Sequence, residues 1–324
     1  MADRKPLTQI ASIAWEHPAD RAALNTLRAL PGFDDVVRKV AGFFGDRGVR
    51  QLFLANAVRV GPEQRPKLHA LYGEALETLD SPTRPELYVT QTPFVNAAAV
   101  GFERPFIVVN SGLLEVLDRD EQRFVLAHEL GHVMSGHTTY STIAIILMTF
   151  GLKNLPFLAG LALIPFQIAL LEWYRKAELS ADRAGLLGTQ DVDDSMGVFL
   201  KFAGGRAGDD RVDLEAFMRQ AVEYETQGNA WDTVLKVLNT VFRDHPFATV
   251  RAAELKRWVD GGDYQRILDG QYAGRDGSQE PPPLKEDYAD AAGYYGQQAR
   301  QAAETFAESL GRARAAFSEA MKKK

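Results

Sequence analysis

The chain has no cysteine. Disulfides, thiolate-bound zinc and cysteine nucleophiles are excluded together. Basic residues are outnumbered, 37 against 43 acidic ones, and the formal net charge of −6 argues against general nucleic-acid binding. A secretory signal is also lacking. Met1–Pro6 carries both signs of charge, and the apolar stretch Ile10–Trp15 is too short for an h-region. Both ends are therefore expected on the cytoplasmic side. No internal repeat is evident. No apolar run reaches the ~18–20 residues that cross a bilayer as one upright helix. The longest, Ile143–Phe150 and Phe157–Leu171, are separated by Gly151, Lys153, Asn154 and Pro156, and Pro165 interrupts the second. They read as an apolar helical hairpin over 141–173. One reading is a hairpin buried in the core; the other, preferred because the remaining helices have faces of their own to cover, leaves an apolar patch exposed and gives membrane contact through 143–171.

What is present describes a globular chain. With 324 residues, 46% hydrophobic and 25% charged, it can bury a large core as one domain with appendages or as two domains. Residues 1–65 read as an N-terminal helical region, with helices over Ala22–Leu30 and Phe33–Phe44 punctuated by Pro31-Gly32 and Gly45. Pro66–Leu79 is a further helix. Leu87–Thr90 and Phe106–Val109 read as strands, joined by the small, extended stretch Thr92–Gly101. A short helix over Leu113–Leu117 precedes a longer one from Arg119 to His137. Helices continue to residue 260, a linker is expected over 261–287, and 288–324 is an amphipathic helical tail with Phe306, Leu310, Phe317 and Met321 on one side. The fold class is α+β, mostly helical, with a small β-sheet beside the helix from Arg119.

Histidine is scarce, six in all, and two fall in His128-Glu129-Leu-Gly-His132. On a helix, positions four apart lie on one face about one turn apart, so both imidazoles face one point. A borderline-soft divalent cation accepts neutral imidazole, and zinc is the expected one, Zn2+ at one per chain. Glu129 is placed to take a proton from a water at the metal rather than to bind the metal. Asp118 with Glu121 marks a capping box at the start of the helix. Its remaining positions, Phe124 to Met134, are apolar on nearly all sides, so the helix is buried and its polar groups need partners.

A catalytic zinc takes three protein ligands. His137, five residues past His132, points about 140° away if the helix continues, so it is a poor third ligand. It reads instead as a helix-end residue or a hydrogen bond to backbone. Glu178, on a second helix after the apolar hairpin, is the better candidate. Asp182, one turn further on the same face, is placed to hold the free imidazole nitrogen of His132. The alternative is a solvated acidic face paired with Arg175 and Arg183. His17 and His69 read as bland polar positions.

His128-Glu-Leu-Gly-His132 followed by Glu178-x-x-x-Asp182 resembles the HtpX-like metallopeptidases, gluzincins that include membrane heat-shock proteases, CAAX-prenyl endopeptidases and BepA-type proteases. Asn96-Ala-Ala-Ala, Val108-Val-Asn-Ser-Gly112-Leu-Leu, Arg175-x-x-Glu178-x-x-Ala181-Asp182 and Asp244-His245-Pro246 with Arg251 resemble further elements of that family. Together they cover roughly residues 65–260. The segment between His132 and Glu178 is shorter than the paired transmembrane helices of the heat-shock members. The resemblance implies a zinc metallopeptidase domain over 66–260, with His128, His132 and Glu178 on the metal. It implies Glu129 as general base, His245 as second catalytic residue stabilising the oxyanion, and Arg251 as a positioning partner. Asn96, Ala97 and Ala98 would form an edge strand to which a protein or peptide substrate is added. The expected function is zinc-dependent endopeptidase activity, in protein quality control at or near a membrane. A zinc-bearing chaperone-like or assembly protein with latent proteolysis is the alternative, and a non-hydrolytic metal module would have no use for Glu129.

Overall fold

Asp118 sets where the central helix begins. Its Oδ1 accepts from the backbone N–H of Asp120 at 3.2 Å and of Glu121 at 3.1 Å, and Glu121 Oε2 accepts in return from Asp118 N at 2.8 Å. The box satisfies N–H groups that a helix start leaves without intrahelical partners.

The computed structural model describes residues 4–150, 163–205, 213–226 and 247–277. In chain order the elements are α1 (Pro18–Arg28), α2 (Phe33–Leu54), β1 (Ala57–Arg59), α3 (Pro66–Thr78), β2 (Glu86–Thr90), β3 (Ala97–Val100) and β4 (Phe106–Asn110). There follow α4 (Ser111–Val116), α5 (Arg119–Met134), α6 (Thr138–Phe150), α7 (Leu163–Thr189), α8 (Val192–Gly204), α9 (Leu214–Thr226), α10 (Ala248–Asp260) and α11 (Asp263–Leu268). The class is α+β and mostly helical, as expected.

The sheet has the order β1-β2-β4-β3. β2 runs parallel to β4, while β1 and β3 pair antiparallel with β2 and β4. β4 is buried from Phe106 to Val109, so both its faces are covered. Alternate residues point into two cores. Ile107 and Val109 join a cluster with α3, α5 and α8, whereas Phe106 and Val108 join one built by α1, α2, α6 and the first half of α7. Among the described residues β3 lies at an edge.

α5 and α7 pack unusually close. A Cβ at Gly131 would lie 2.5 Å from Ala184 Cβ, and one at Gly188 would lie 2.2 Å from Ala127 Cβ. Both distances are shorter than side chains tolerate, so glycine at these two points is what lets the backbones meet. The pairing 131 with 184 and 127 with 188 also shows that the helices run antiparallel.

Three expectations change. The described part of the apolar hairpin is covered by protein. Ile143, Ala144, Ile146, Leu147 and Leu170 are buried against Leu27, Phe33, Val36, Val40 and Val49, which come from α1 and α2. The N-terminal helices supply the cover that the sequence reading found missing. Among the described residues no helix is long and apolar enough to cross a membrane. Residues 151–162, the middle of that hairpin, lie outside the described residues.

The linker expected from 261 is, over its described part, packed structure. Tyr264 and Ile267 of α11 are buried in the first core, Ile10 bridges Gly274, and Arg275 donates to Ile10 O at 2.7 Å. The helical tail 288–324 lies outside the described residues. Finally, α5 stops at Met134 rather than at His137. Gly136 takes a positive φ of 69° and reverses the chain, and His137 N donates back to His132 O at 3.0 Å.

Candidate metal centre

One turn of α5 separates His128 from His132, and their ring centroids are 4.9 Å apart. The close approach of α7 brings Glu178 between them. His132 Nε2 is 3.3 Å from Glu178 Oε1, and His128 Nε2 is 3.7 Å from Glu178 Oε2. One donor atom from each residue lies within 4.8 Å of the others, and all three residues are buried. Among the described residues this is the one such group of His, Cys, Asp and Glu.

The opposite ring nitrogens face other residues. His128 Nδ1 is 3.0 Å from Asp182 Oδ1, and His132 Nδ1 is 3.1 Å from His137 Nδ1. Each imidazole is thus turned with Nε2 towards Glu178. Burial lowers the His132 imidazole to about 4 although Glu178 pulls the other way, so the ring is neutral near pH 7. Two imidazoles and a carboxylate on one point are a donor set that fits a divalent cation of the zinc type.

Arg251, on α10, closes the back of the centre. Its Nε donates to Asp182 Oδ2 at 2.8 Å and its Nη2 to Asp182 Oδ1 at 2.5 Å, while Nη1 is 3.1 Å from Glu178 Oε2. Burial would raise the Asp182 carboxyl, but the Arg251 guanidinium overrides it and holds Asp182 below its ordinary value.

Behind His132 the contacts continue outward. His137 Nε2 is 3.1 Å from Asp20 Oδ2. Asp20 also accepts from Trp173 Nε1 at 2.9 Å and from Ser180 Oγ at 2.5 Å. Burial opposes charge on both Asp20 and His137, yet each holds the other towards its charged form, Asp20 below and His137 above its ordinary value.

A cleft of about 540 Å³ opens onto the centre, lined by Asn96, Ala97, His128, Glu129, Glu178 and Phe247 among others. Glu129 is buried in its wall. Of the three edge-strand residues singled out, Asn96 and Ala97 line the cleft. Ala98 packs against the second core, as strand alternation requires.

The structure brings together His128, Glu129, His132, Glu178, Asp182 and Arg251. It corrects two assignments. Asp182 stands by His128, not His132. The antiparallel course of α7 carries a residue one turn past Glu178 towards the start of α5, where His128 lies. His137 does not point away, because the turn at Gly136 folds its ring back onto His132. His245 lies outside the described residues. Asp20, Trp173 and Ser180 gave no motif, and the nearest signal was His137 so close after His132.

A buried His-His-carboxylate centre on two helices, opening on a cleft beside a sheet edge, is the arrangement of a metal-dependent peptidase. The description Peptidase family M48 matches residues 62–259, more than half of the sequence, and the chain belongs to that family. It is 34% identical over 260 residues to "Plastoglobule-localized metallopeptidase 48, chloroplastic" of Arabidopsis thaliana, covering 78% of this chain and 74% of that one. It is 28% identical over 255 residues to a "Protease HtpX homolog" of Moorella thermoacetica, covering 69% and 82%. A second HtpX homolog, from Sulfurihydrogenibium sp., is 35% identical over 104 residues, covering 32% and 34%. No solved structure matches.

Proposed function

We propose that the chain is a zinc endopeptidase with Glu129 as general base. The observation that carries this reading is the convergence of His128 Nε2, His132 Nε2 and the Glu178 carboxylate in a cleft that also holds Glu129 and the β3 edge. His128, His132 and Glu178 would hold the ion. When bound, zinc supplies a Lewis acid that polarises the scissile carbonyl and acidifies water. Glu129 takes the proton from the attacking water and returns it to the leaving amine. Arg251 favours the ionised form of Asp182 and holds both Asp182 and Glu178 in place. The free edge of β3 aligns an extended chain through backbone hydrogen bonds, and strand addition of this kind leaves specificity to pockets under alternate side chains. His245 is assigned to the oxyanion and Arg251 to its support, on the resemblance of the Asp244-His245-Pro246 segment.

Action on protein substrates at or near a membrane belongs to the same proposal. It draws on the plastoglobule location in the name of the Arabidopsis relative and on Phe94 and Val95, which are 73% and 37% exposed beside the cleft.

Metal content by mass spectrometry, with casein cleavage before and after a chelator, tests the reading. One zinc per chain and chelator-sensitive cleavage are expected. Glu129→Gln should keep the zinc and lose the cleavage. Cleavage at the wild-type rate in that variant would refute the role of Glu129. An assembly activity that survives Glu129→Gln would favour the chaperone-like alternative.

A further inference from the structure

We propose that Asp20, on α1, positions the metal ligand His132 through His137, which makes the N-terminal segment a working part of the metal centre. The inference rests on the reading of His128, His132 and Glu178 as ligands. It goes beyond that reading because Asp20 lies outside the residues matched by the family, 62–259.

The carboxylate of Asp20 is clamped. Asp20 is 1% exposed. Trp173 and Ser180 are seven residues apart on α7, two turns on one face, and donate to its two oxygens at 2.9 and 2.5 Å. Ser180 Oγ also accepts from His17 N at 2.8 Å, and His17 Nδ1 caps α1 by accepting from Ala19 N at 3.1 Å. α1 therefore enters at a fixed height against α7, with Asp20 facing inward. The His137 ring is fixed independently. Gly136 turns it back, His137 N is bonded to His132 O, and the ring stands edge-on to Trp173 at 5.6 Å and 84°.

Between these two anchors the order of protons is determined. A deprotonated carboxylate accepts and cannot donate. His137 Nε2 must therefore carry a hydrogen and give it to Asp20 Oδ2, across the observed 3.1 Å. A cation on His132 Nε2 opposes a second positive charge on His137, which then keeps one hydrogen, on Nε2; the His132 proton sits on Nδ1, and its acceptor is His137 Nδ1 at 3.1 Å. The opposite order would place a hydrogen on His132 Nε2, pointing at the metal. Asp20 thus selects the tautomer and the ring angle of His132 from about two shells out, as carboxylates behind metal-bound histidines do.

The test uses the full chain. Zinc affinity is read by competition with a chromophoric chelator, and histidine tautomers of the zinc-loaded protein by 15N NMR. Asp20→Asn puts an amide, which can donate, where only an acceptor stood. It should weaken zinc roughly 10–100-fold and should mix the tautomers of His132 and His137. Leu27→Ala removes a buried side chain from the same helix without touching the network. It should lower stability and leave zinc affinity within about two-fold. Should Asp20→Asn fail to unfold cooperatively, His137→Gln carries the same expectation for affinity. Wild-type zinc affinity in Asp20→Asn, or an equal loss in Leu27→Ala, overturns the positioning role. Glu178→Ala separates the premise from the proposal. Loss of zinc there with none in Asp20→Asn refutes the positioning alone, whereas wild-type zinc in Glu178→Ala removes the metal reading and this inference with it.

Discussion

Replacing Arg251 with Met tests how the back of the centre is held. The guanidinium meets Asp182 through two hydrogen bonds of 2.8 and 2.5 Å and Glu178 at 3.1 Å. All three residues are buried. At an effective dielectric of 20, a contact of this length is worth about 5 kcal/mol gross, most of it spent on desolvation. Removing the cation leaves two carboxylates facing each other without it. Breaking a buried pair from one side costs ~3–5 kcal/mol. At about 2.1 cal/mol/K of unfolding entropy per residue, a chain of 324 residues loses roughly 1.5 °C per kcal/mol, so the expected fall in melting temperature is about 5 °C. Urea unfolding after dialysis against a chelator measures it. The double variant Arg251→Met with Asp182→Leu should recover much of the loss, since no charge is then stranded at position 182. A single variant within about 1 kcal/mol of wild type would refute the claim that this ion pair governs the local stability.

Three further outcomes are expected. Gly188→Ala places a methyl group against Ala127. It should cost ~1–3 kcal/mol by overpacking and weaken zinc by parting α7 from α5, as melting and chelator competition would show. Burial lowers both His17 and His132 from 6.5 to about 4. Between those values the unfolded chain binds more protons than the folded one, so stability rises with pH there. Chelator-treated protein should therefore lose stability as pH falls from 6.5 towards 4, by an amount on the order of 3 kcal/mol per group, and a flat urea series would contradict it. His245→Ala should keep its zinc and lower kcat by about 10²–10³-fold if His245 serves the oxyanion, and steady-state kinetics on a peptide decide it.

Local periodicity made much of the site readable. The i, i+4 spacing on α5, the capping box and the i, i+4 acids on α7 depend only on helical geometry, and each was found where the spacing put it. What the spacing could not convey was relative direction. Which histidine Asp182 serves depends on α7 running antiparallel to α5, a tertiary fact set by contacts such as Gly131 with Ala184. His137 was misplaced because extrapolating α5 assumes that it continues, and one glycine with positive φ ends it. The apolar hairpin was read as exposed because the faces of α1 and α2 that cover it carry no mark of their destination. Asp20 is one acidic residue in an ordinary amphipathic helix, and its partners lie 153 and 160 residues away.

Those separations bear on how the chain reaches its fold. Tyr272 donates to Thr8 O and Arg275 to Ile10 O across 264 and 265 residues, and α1 meets α7 across 160. Contacts so distant along the chain close large loops before they return any energy, and folding slows as their share grows. On the ribosome, α1 and α2 emerge first, meet the sheet next, and lack the rest of their cover until α6 and α7 follow, while Ile10 waits for Gly274. Over that interval the apolar faces of α1 and α2 are only partly covered. Synthesis, rather than the finished protein, is when this chain is most exposed to aggregation. A pulse-labelled ribosome-bound series should show protease resistance arising late, after residue 277 has cleared the exit tunnel.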